Sequence, residues 1–355
     1  MVRLKDIAAR AGVSVMTVSK VLRDAPDISP ATKARIKMLA QEMGYVPDSL
    51  AQGLRTRTTH TIGLIISAVT NPMFARAILA IEEQAHDLGY ELILAHSLND
   101  PAREESVIRR LLSRRVDGLI VSPVYRLAPT APVYDELRES TTPVVMLGHK
   151  APFCSSFPSV ETDDLLGSCA ATRHLLELGH QRIAFLAGPT VAPWAQERLD
   201  GYRRALREAG IDVDEHLIFS AGTTIEEGQT AALQMLNEGA MATAIQASSD
   251  LVAIGAATVL LKQGLKLPRD FSVVGFGNVL LCEYFAVPLT TVRQPKFRLG
   301  TAAMETLRKL LKHESVDSKR LATELLVRQS SGPVPDLKAT SAGNPNLISA
   351  ENNSE

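Results

Sequence analysis

Cysteine is scarce in this sequence, and long apolar runs are missing. Of its 355 residues only three are cysteines, Cys154, Cys169 and Cys282, which lie far apart and form no CxxC pair. This spacing argues against a disulfide framework or a structural zinc site and favours a reducing compartment. The sequence contains no run of about 18 apolar residues, the length needed to cross a membrane. Residues 1–20 also lack the apolar core of a signal peptide. We therefore predict a cytoplasmic protein with no membrane partner.

The sequence also lacks the motifs that carry common enzyme chemistry. No GxSxG, HExxH or GxxxxGK[ST] pattern occurs, and Gly275-Phe276-Gly277 lacks the third glycine of a dinucleotide-binding fingerprint. His174 and His180 flank a predicted helix end without the spacing of metal ligands. We predict no catalytic residue, no metal ion and no cofactor. An enzyme would need a site of a kind not recognised here.

The beginning of the chain differs in charge from the rest. The whole chain carries 38 basic and 39 acidic side chains and a net charge of −1. Residues 1–60 contain ten Lys/Arg and five Asp/Glu, whereas the remaining 295 residues contain 28 and 34. The apolar fraction of 45% is that of an ordinary globular protein. A small basic head on an acidic body predicts that the head meets a polyanion.

Three short helices are predicted within residues 4–44. The first ends at Gly12, the second follows the capping residue Ser14, and the third begins at Ser29-Pro30. Two short helices joined by a tight turn and braced by a third are typical of a helix-turn-helix. A three-helix core that binds no DNA would give the same apolar pattern. The residues expected inside are Leu4, Ile7, Ala8, Ala11, Val18, Val21, Leu22, Ile36, Leu39, Ala40 and Met43.

The second of these helices begins with two apolar residues, Val15 and Met16, on the face that would point away from the head's core. If Val18 and Val21 face inward, Val15 and Met16 lie toward solvent, which is unfavourable unless something covers them. The major groove of DNA offers thymine methyl groups to such side chains, and Lys20 can donate to guanine acceptors. The outer face of this helix therefore predicts a surface that reads DNA.

The head resembles the DNA-binding head of the lactose-repressor (LacI/GalR) family of bacterial transcription regulators, and the similarity runs to about residue 332. The segments that carry the resemblance are Val2 to Leu22, Ile28 to Lys33 and Met43 to Asp48. The base-reading positions that it implies are Val15, Met16 and Lys20. The positions that it implies for contacts with the DNA backbone or for local packing are Thr17, Ser19 and Thr32.

Residues 47–60 connect the head to the body. A helix of about two turns is marginal by itself, and Gly53 adds about 1 kcal/mol against it relative to alanine. From composition alone, a plain linker is an equal alternative. The resemblance implies a hinge helix that becomes ordered on DNA. Leu54 would then wedge into the minor groove, while Arg55 and Arg57 would hold phosphates.

From residue 61, short apolar runs alternate with amphipathic stretches, which is typical of parallel sheets covered by helices. Some 270 residues are too many for one compact open sheet, so two lobes are expected. The predicted strands are Ile62–Val69, Glu91–Ala95, Gly118–Ser122, Val144–Leu147, Ile183–Ala187, Thr243–Ala247 and Ser272–Phe276. The predicted helices include Phe74–Leu88, Arg103–Arg114, Leu165–Leu178 and Gln196–Ala209.

The resemblance implies an α/β body with the two-lobed fold of the periplasmic sugar-binding proteins. The crossovers between lobes are expected near residues 160–162, 289–292 and 320–323. Lobe 1 would comprise about residues 61–160 and 292–320, and lobe 2 about residues 162–289 and 322–332. Residues 333–355 lack leucine heptads, which predicts a disordered tail and no tetramerising coil.

Ligands of such sheets lie beyond the carboxyl ends of the strands. The arginine implied there, Arg198, can donate a fork of hydrogen bonds to sugar hydroxyls or to an acid, and Trp194 could stack on a sugar. Asp250 could instead only cap the helix at 251–261, and Phe74 by itself is more typical of a core. The effector-binding positions that we assign are Phe74, His149, Trp194, Arg198, Ser249, Asp250 and Asn278.

Two departures from the family pattern bear on the ligand. Gly277 stands in the usual Gly-Phe-Asp-Asp motif where the first acid is expected, and Gly148-His149-Lys150 replaces an Asp or Asp-Arg. Fewer carboxylates alongside Arg198 predict a less negative cleft and an acidic effector, such as a sugar acid. A neutral sugar held through other donors is an equal alternative.

The complete pattern predicts a sequence-specific transcription regulator, a repressor, whose affinity for its operator is set by a small molecule bound between the lobes. A homodimer would place two heads on the half-sites of a near-palindromic double-stranded operator. The ligand would shift the angle between the lobes through its different affinity for the two states. A sugar receptor of the periplasmic kind is the alternative, and the basic head argues against it.

Overall fold

The computed structural model describes residues 2–45 and 58–334. The chain divides between Thr59 and His60 into two compact units, the head and the body. Three predicted DNA contacts lie outside the described residues, as does the predicted tail from residue 335 onward. These contacts are Leu54, Arg55 and Arg57.

The head consists of three helices, α1 (Leu4–Ala11), α2 (Val15–Leu22) and α3 (Pro30–Glu42). Each of the last two helices begins at the serine expected from the sequence. Ser14 Oγ accepts a hydrogen bond from the backbone N–H of Thr17 at 3.1 Å, and Ser29 Oγ accepts one from Thr32 at 3.4 Å. The buried core contains Ile7, Ala8, Ala11, Val18, Val21, Ile36 and Ala40. The other four predicted core residues are only partly buried, namely Leu4, Leu22, Leu39 and Met43.

The body contains two six-stranded sheets. Its first half is β1 (Thr61–Ile66), α4 (Pro72–Asp87), β2 (Glu91–His96), α5 (Pro101–Ser113), β3 (Gly118–Val121), α6 (Pro132–Glu139), β4 (Val144–Leu147), β5 (Ser159–Thr162), α7 (Asp164–Glu177), β6 (Ile183–Ala187) and α8 (Pro193–Glu208). Its second half is β7 (Ile218–Ser220), α9 (Ile225–Asn237), β8 (Ala244–Ala247), α10 (Asp250–Lys262), β9 (Ser272–Gly277), α11 (Leu281–Tyr284), β10 (Thr290–Arg293), α12 (Lys296–Leu311), β11 (Lys319–Leu321) and β12 (Glu324–Leu326).

Each sheet is the centre of one lobe. The sheet of lobe 1 has the order β11-β5-β4-β3-β1-β2 and is parallel throughout. The sheet of lobe 2 has the order β12-β10-β9-β8-β6-β7, in which only β12 runs antiparallel to its neighbour. Helices bury both faces of the sheets, so strands such as β1 are continuous apolar runs.

The chain passes between the lobes three times: between β5 and α7, between β10 and α12, and between β11 and β12. The second passage lies at residues 294–295, later than the expected 289–292, because β10 first pairs with β9 in lobe 2. The predicted first strand was too long, since β1 ends at Ile66. Five short strands were not predicted, namely β5, β7, β10, β11 and β12.

Two helices of lobe 2, α9 and α10, approach each other through glycines. A Cβ atom added to Gly255 would lie 2.1 Å from the carbonyl oxygen of Ile225. One added to Gly228 would lie 2.4 Å from the carbonyl oxygen of Val252. Each contact is with backbone, which cannot move aside as a side chain can. The two helices therefore require glycine at these positions.

The last described residues are held on lobe 2 by two histidines. The ring nitrogens of His180 lie 3.0 Å from the carbonyl oxygen of Gly332 and 2.8 Å from Thr243 Oγ1, and Nε2 of His174 lies 2.9 Å from Ser331 Oγ. Burial lowers the pKa of both histidines. These side chains, which have no metal-ligand spacing in the sequence, therefore anchor the end of lobe 2.

This anchor predicts a loss of stability in mild acid. Since the folded pKa of His180 is lowered, the unfolded chain binds more protons below about pH 6.5, the ordinary histidine value. We expect the free energy of unfolding to fall as the pH drops from about 6.5 toward the lowered pKa. Chemical unfolding across this range should show a shallower slope in His180→Gln. The exposed His216→Asn is the control, and an unchanged slope in His180→Gln would contradict the assignment.

Candidate DNA-reading helix and effector cleft

The start of α2 is an uncovered apolar surface of the head. Val15 and Met16 are the first two residues of this helix and are 45% and 65% exposed. Val18 and Val21, on the opposite face of the helix, are buried against the rest of the head. The helix therefore presents the two predicted apolar base-reading residues outward, at its N-terminal end.

Lys20 has a partner that the sequence analysis missed. Its Nζ atom lies 2.5 Å from Oδ2 of Asp27, in the loop after α2. The hydrogen bond from Lys20 lowers the pKa of Asp27, so this carboxylate stays charged near neutral pH. Asp27 occupies one of the three N–H donors of Lys20 and draws its ammonium group toward the loop. The loop residue is thus a competitor for the predicted base contact.

The predicted backbone-contacting residues make local hydrogen bonds in the head. The hydroxyls of Thr17 and Thr32 lie 2.9 Å from those of Ser14 and Ser29, the two capping serines. The carbonyl oxygen of Ser19 accepts a hydrogen bond from Arg23 Nε at 3.0 Å. Each threonine therefore supports the start of a helix.

A cavity of about 190 Å³ lies between the lobes of the body, at the carboxyl ends of the strands. Residues within two positions of the ends of β1, β3, β4, β8 and β10 contribute to its wall, as expected for parallel sheets. Six of the seven predicted effector-binding residues line it, namely Phe74, His149, Trp194, Arg198, Ser249 and Asp250. Side chains from both lobes therefore meet in one cleft.

Arg198, on α8, belongs to the lobe 2 wall of the cleft and is only 6% exposed. Its Nε and Nη2 atoms donate to Oδ2 of Asp164 at 2.9 and 2.6 Å, and its Nη1 atom donates to the carbonyl oxygen of Ser248 at 2.5 Å. Its guanidinium lies 4.5 Å from the ring of Trp194 and 3.8 Å from that of Phe276. Stacking on both rings fixes the plane of the guanidinium.

Asp164 is a cleft residue that the sequence analysis missed. It is fully buried at the start of α7, directly after the first passage between the lobes. Its Oδ1 atom accepts hydrogen bonds from the hydroxyl of Thr162 at 2.5 Å and from Gln294 Nε2 at 3.4 Å. Gln294, which belongs to the second passage, also donates to Thr162 Oγ1 at 2.9 Å. Asp164 therefore connects Arg198 to two of the interlobe segments.

Ser249, rather than Asp250, caps α10. Ser249 Oγ accepts a hydrogen bond from the backbone N–H of Val252 at 3.3 Å. The carboxylate of Asp250 accepts hydrogen bonds from the hydroxyl of Thr291 at 2.5 Å and from the backbone N–H of Val279 at 2.8 Å. Burial raises the pKa of Asp250, and this effect outweighs its hydrogen bonds. Asp250 thus braces the end of β9 as well as lining the cleft.

Asn278 does not line the cleft, contrary to its sequence assignment. Its Oδ1 atom accepts a hydrogen bond from Arg328 Nη2 at 2.7 Å. The left-handed backbone at Gly277, with φ +134°, and at Asn278, with φ +55°, turns the chain at this point. The buried Lys296 donates from Nζ to the carbonyl oxygens of both residues. Position 277, where glycine replaces the acid of the family pattern, thus has a backbone conformation that favours glycine.

One ion-pair cluster connects the lobes at the rim of the cleft. Glu197, on α8 of lobe 2, lies 3.2 Å from Nε2 of His149 and 2.6 Å from Nη2 of Arg320, both of which belong to lobe 1. Burial by itself raises the pKa of Glu197, but His149 and Arg320 hold it below its ordinary value. His149, which stands where the family pattern has an acid, therefore contacts the opposite lobe across the cleft.

The cleft contains more carboxylates than the sequence suggested. Glu161, Asp164 and Asp250 all line it. Two of these carboxylates have a cationic partner: Asp164 pairs with Arg198, and Glu161 lies 3.0 Å from Arg320. The expectation of a cleft short of carboxylates counted only the replaced positions and missed the acids at the end of β5 and the start of α7. Lys150, counted as an added positive charge, donates to Ser318 Oγ at 3.1 Å. Arg198 is therefore not an unpaired positive charge in the cleft.

In residues 2–45 and 58–334, no helix is both long and apolar enough to span a membrane. Within the same ranges, no three His, Cys, Asp or Glu side chains are grouped so that they could hold a metal ion.

Known proteins resemble both units of the chain. The model of the bacterial regulatory proteins of the lacI family matches residues 3–48, and that of the periplasmic binding protein-like domain matches residues 172–331. The ribose operon repressor of Escherichia coli (strain K12) is 32% identical over 332 residues, which cover 93% of this chain and 100% of that protein. The transcriptional repressor CytR of the same strain is 33% identical, over 94% of this chain and 97% of its own.

Solved structures extend the comparison to the arrangement of the elements. The lac repressor dimer bound to operator and the anti-inducer ONPF has a TM-score of 0.83 and 28% identity, covering 93% of this chain and 99% of that one. The complex of the transcriptional regulator CelR with cellobiose has a TM-score of 0.71 and 31% identity, covering 93% and 100%. Relatives and structures thus agree with a helix-turn-helix head followed by a two-lobed body. The chain belongs to the lacI family of bacterial regulatory proteins.

Proposed function

We propose that this protein is a transcriptional repressor that binds a near-palindromic double-stranded operator as a homodimer. The observation that carries the proposal is the uncovered Val15–Met16 pair at the start of α2. An apolar pair at this end of a helix-turn-helix suits thymine methyl groups in the major groove. Two of the relatives are named as repressors, and a similar solved structure is the lac repressor dimer on its operator. Both observations support a repressor that binds operator DNA as a dimer. Since its target is chromosomal DNA, the protein acts in the cytoplasm, at the nucleoid when bound to its operator.

The effector of this repressor is a small molecule held in the cleft of the body, a sugar or a sugar derivative. A cleft that meets both lobes, with aromatic rings beside a stacked arginine, suits such a ligand. Relatives named for ribose and a neighbour in complex with cellobiose support this class. Ligand bound between the lobes would favour one lobe angle over another and so set the affinity for operator.

Lys20 tests the proposed reading of DNA. Operator half-sites are first obtained by selecting bound sequences from a random duplex library. Lys20→Ala should then relax the preference at one base pair by about 1–3 kcal/mol and leave the other positions unchanged. The measurement is fluorescence anisotropy on single-base variants of the selected half-site. Asp27→Ala, which removes the competitor, should retain the preference at that base pair.

Lys37→Ala is the matched control for Lys20, because Lys37 also pairs with an aspartate, Asp24 at 2.8 Å, but lies on α3. Any loss of affinity in this control should be the same for every sequence. Uniform weakening by Lys20→Ala would mean that Lys20 contacts phosphate. If the wild-type protein bound no duplex at low ionic strength, the proposed function itself would be refuted.

A further inference from the structure

We propose that Glu104 is the positioning residue of the lobe 1 wall of the cleft, because it holds Tyr125 and, through Tyr125, His149 in place. The inference rests on the proposed effector-binding function of the cleft. Glu104 lies on α5, is fully buried and does not itself line the cleft. Glutamate is almost never fully buried unless it is paired, so its position here requires a specific reason.

Three groups hold the carboxylate of Glu104. Its Oε1 atom accepts hydrogen bonds from the backbone N–H of Val124 at 2.7 Å and from the hydroxyl of Tyr134 at 2.8 Å. Its Oε2 atom accepts one from Nη2 of Arg126. Val124 and Arg126 both belong to the segment 122–126, which directly follows β3. The carboxylate therefore attaches this segment to α5 at two points.

Stability does not explain why this carboxylate is buried. Burial raises the pKa of Glu104, and this effect outweighs the hydrogen bonds from Val124, Tyr134 and Arg126. A buried ion pair can often be replaced by apolar side chains of similar size without loss of stability, and its better use is to specify one arrangement of the groups around it. The arrangement that Glu104 and Arg126 specify is that of residues 122–126.

This segment carries Tyr125 into the wall of the cleft. Tyr125 lines the cleft, and its hydroxyl donates to the carbonyl oxygen of His149 at 2.8 Å. The guanidinium of Arg126 lies 5.0 Å from the centre of the ring of Phe153, which belongs to the same connection between β4 and β5 as His149. Two contacts thus join the segment after β3 to the segment after β4.

His149 connects this wall to lobe 2. Its Nε2 atom lies 3.2 Å from the carboxylate of Glu197 on α8. Trp194, three residues earlier on the same helix, lines the cleft and is the single tryptophan of the sequence. A displaced His149 would lose its contact with Glu197, and solvent would reach Trp194 more readily. The intrinsic fluorescence therefore reports, without any effector, whether the lobe 1 wall is in place.

The chain offers a matched control in the neighbouring residue, Glu105. It has the same charge, lies on the same helix and also approaches Arg126, at 3.5 Å. Unlike Glu104, it is partly exposed. In the described part of the chain, Val124 donates to Glu104 and not to Glu105. Glu105→Leu therefore removes an acid beside Arg126 but leaves the attachment of residues 122–126 intact.

The experiment compares the full-length wild type, Glu104→Leu and Glu105→Leu in the absence of ligand. Amide hydrogen exchange, read by mass spectrometry, gives the protection of Val124 and of residues 148–151. In Glu104→Leu, Val124 should exchange at least about tenfold faster, because a hydrogen bond to a charged group is lost. Exchange of residues 148–151 and quenching of Trp194 by acrylamide should also rise. Glu105→Leu should match the wild type in all three measurements.

Tyr125→Phe separates the two steps of the proposal. It keeps the attachment to Glu104 but removes the hydrogen bond to His149. Val124 should therefore stay protected, while residues 148–151 exchange faster and Trp194 is quenched more strongly. The amides of β8, in lobe 2, report unfolding of the whole body and should exchange equally in all of these proteins.

Equal exchange of Val124 in Glu104→Leu and Glu105→Leu would overturn the proposal. Unchanged quenching of Trp194 in both Glu104→Leu and Tyr125→Phe would also overturn it. Should Glu104→Leu fail to fold, Glu104→Gln takes its place, since glutamine keeps the shape but not the charge that pairs with Arg126. Residues 122–126 should then exchange faster than in Glu105→Gln, and equal exchange would contradict the assignment.

Operator binding is followed in the same samples. A protein that shows these changes but binds no duplex would refute the proposed function and leave this inference standing. A protein that binds operator but keeps residues 122–126 equally protected in every variant would refute this inference alone.

Discussion

Arg198→Met should abolish the response of operator binding to effector and destabilise the body by about 3–5 kcal/mol, the usual cost of leaving one member of a buried ion pair alone. The variant leaves the carboxylate of Asp164 buried without its partner, and it removes the donors that remain for the ligand. Urea unfolding gives the stability. Anisotropy of a labelled operator, with and without ligand, gives the response.

The double variant Arg198→Met with Asp164→Asn separates the two effects. Both charges are then absent, so much of the lost stability should return, because a neutral pair has no unpaired buried charge. The response to ligand should not return, since the donors of Arg198 are still missing. A full response in either variant would show that Arg198 does not contact the effector. Equal stability of the single variant and the wild type would contradict the buried ion pair.

Ile36→Ala should remove operator binding while leaving the binding of effector to the body unchanged. Ile36 is fully buried on α3, and the described part of the head, residues 2–45, has seven buried core residues to hold three helices. Removing this side chain costs about 2–5 kcal/mol, which is a large share of the stability of so small a unit. The head should therefore be largely unfolded at 25 °C. The measurements are operator anisotropy and ligand titration on the same preparation.

Met38→Ala is the matched control for Ile36. It shortens an apolar side chain on the same helix, but Met38 is 57% exposed. Its effect on stability should stay within about 0.5 kcal/mol, as is usual for surface positions. Tight operator binding by Ile36→Ala would mean that this core does not limit the stability of the head.

The head could be predicted closely because its signals are local. Ser14 and Ser29 were expected to cap helices, and both accept the hydrogen bond that defines the cap. In the body, the central strands were visible because helices cover both of their faces, which makes them continuous apolar runs. Edge strands such as β11, with the sequence Lys-Arg-Leu, carry no such signal. Only pairing with a distant strand makes them part of a sheet.

The sequence predicted which residues lie near the cleft, but not which side chains they contact there. Trp194, Arg198 and Asp250, which were predicted from the strand ends, line its wall. The partner of Arg198 is 34 residues away, and that of His149 is 48 residues away, so no local pattern reveals either pair. Asn278 was misplaced for a related reason, because two left-handed residues in succession redirect its side chain.

The order of strands in the two sheets also determines when each part of the chain can fold during synthesis. The head needs only residues 2–45 for its core and can form while most of the protein is still unmade. Neither lobe has this option. The sheet of lobe 1 is completed by β11, at Lys319–Leu321, and that of lobe 2 by β12, at Glu324–Leu326. Neither sheet can therefore be completed until nearly all of the described chain has been synthesised. The body emerges from the ribosome with both sheets incomplete, after the head has already folded.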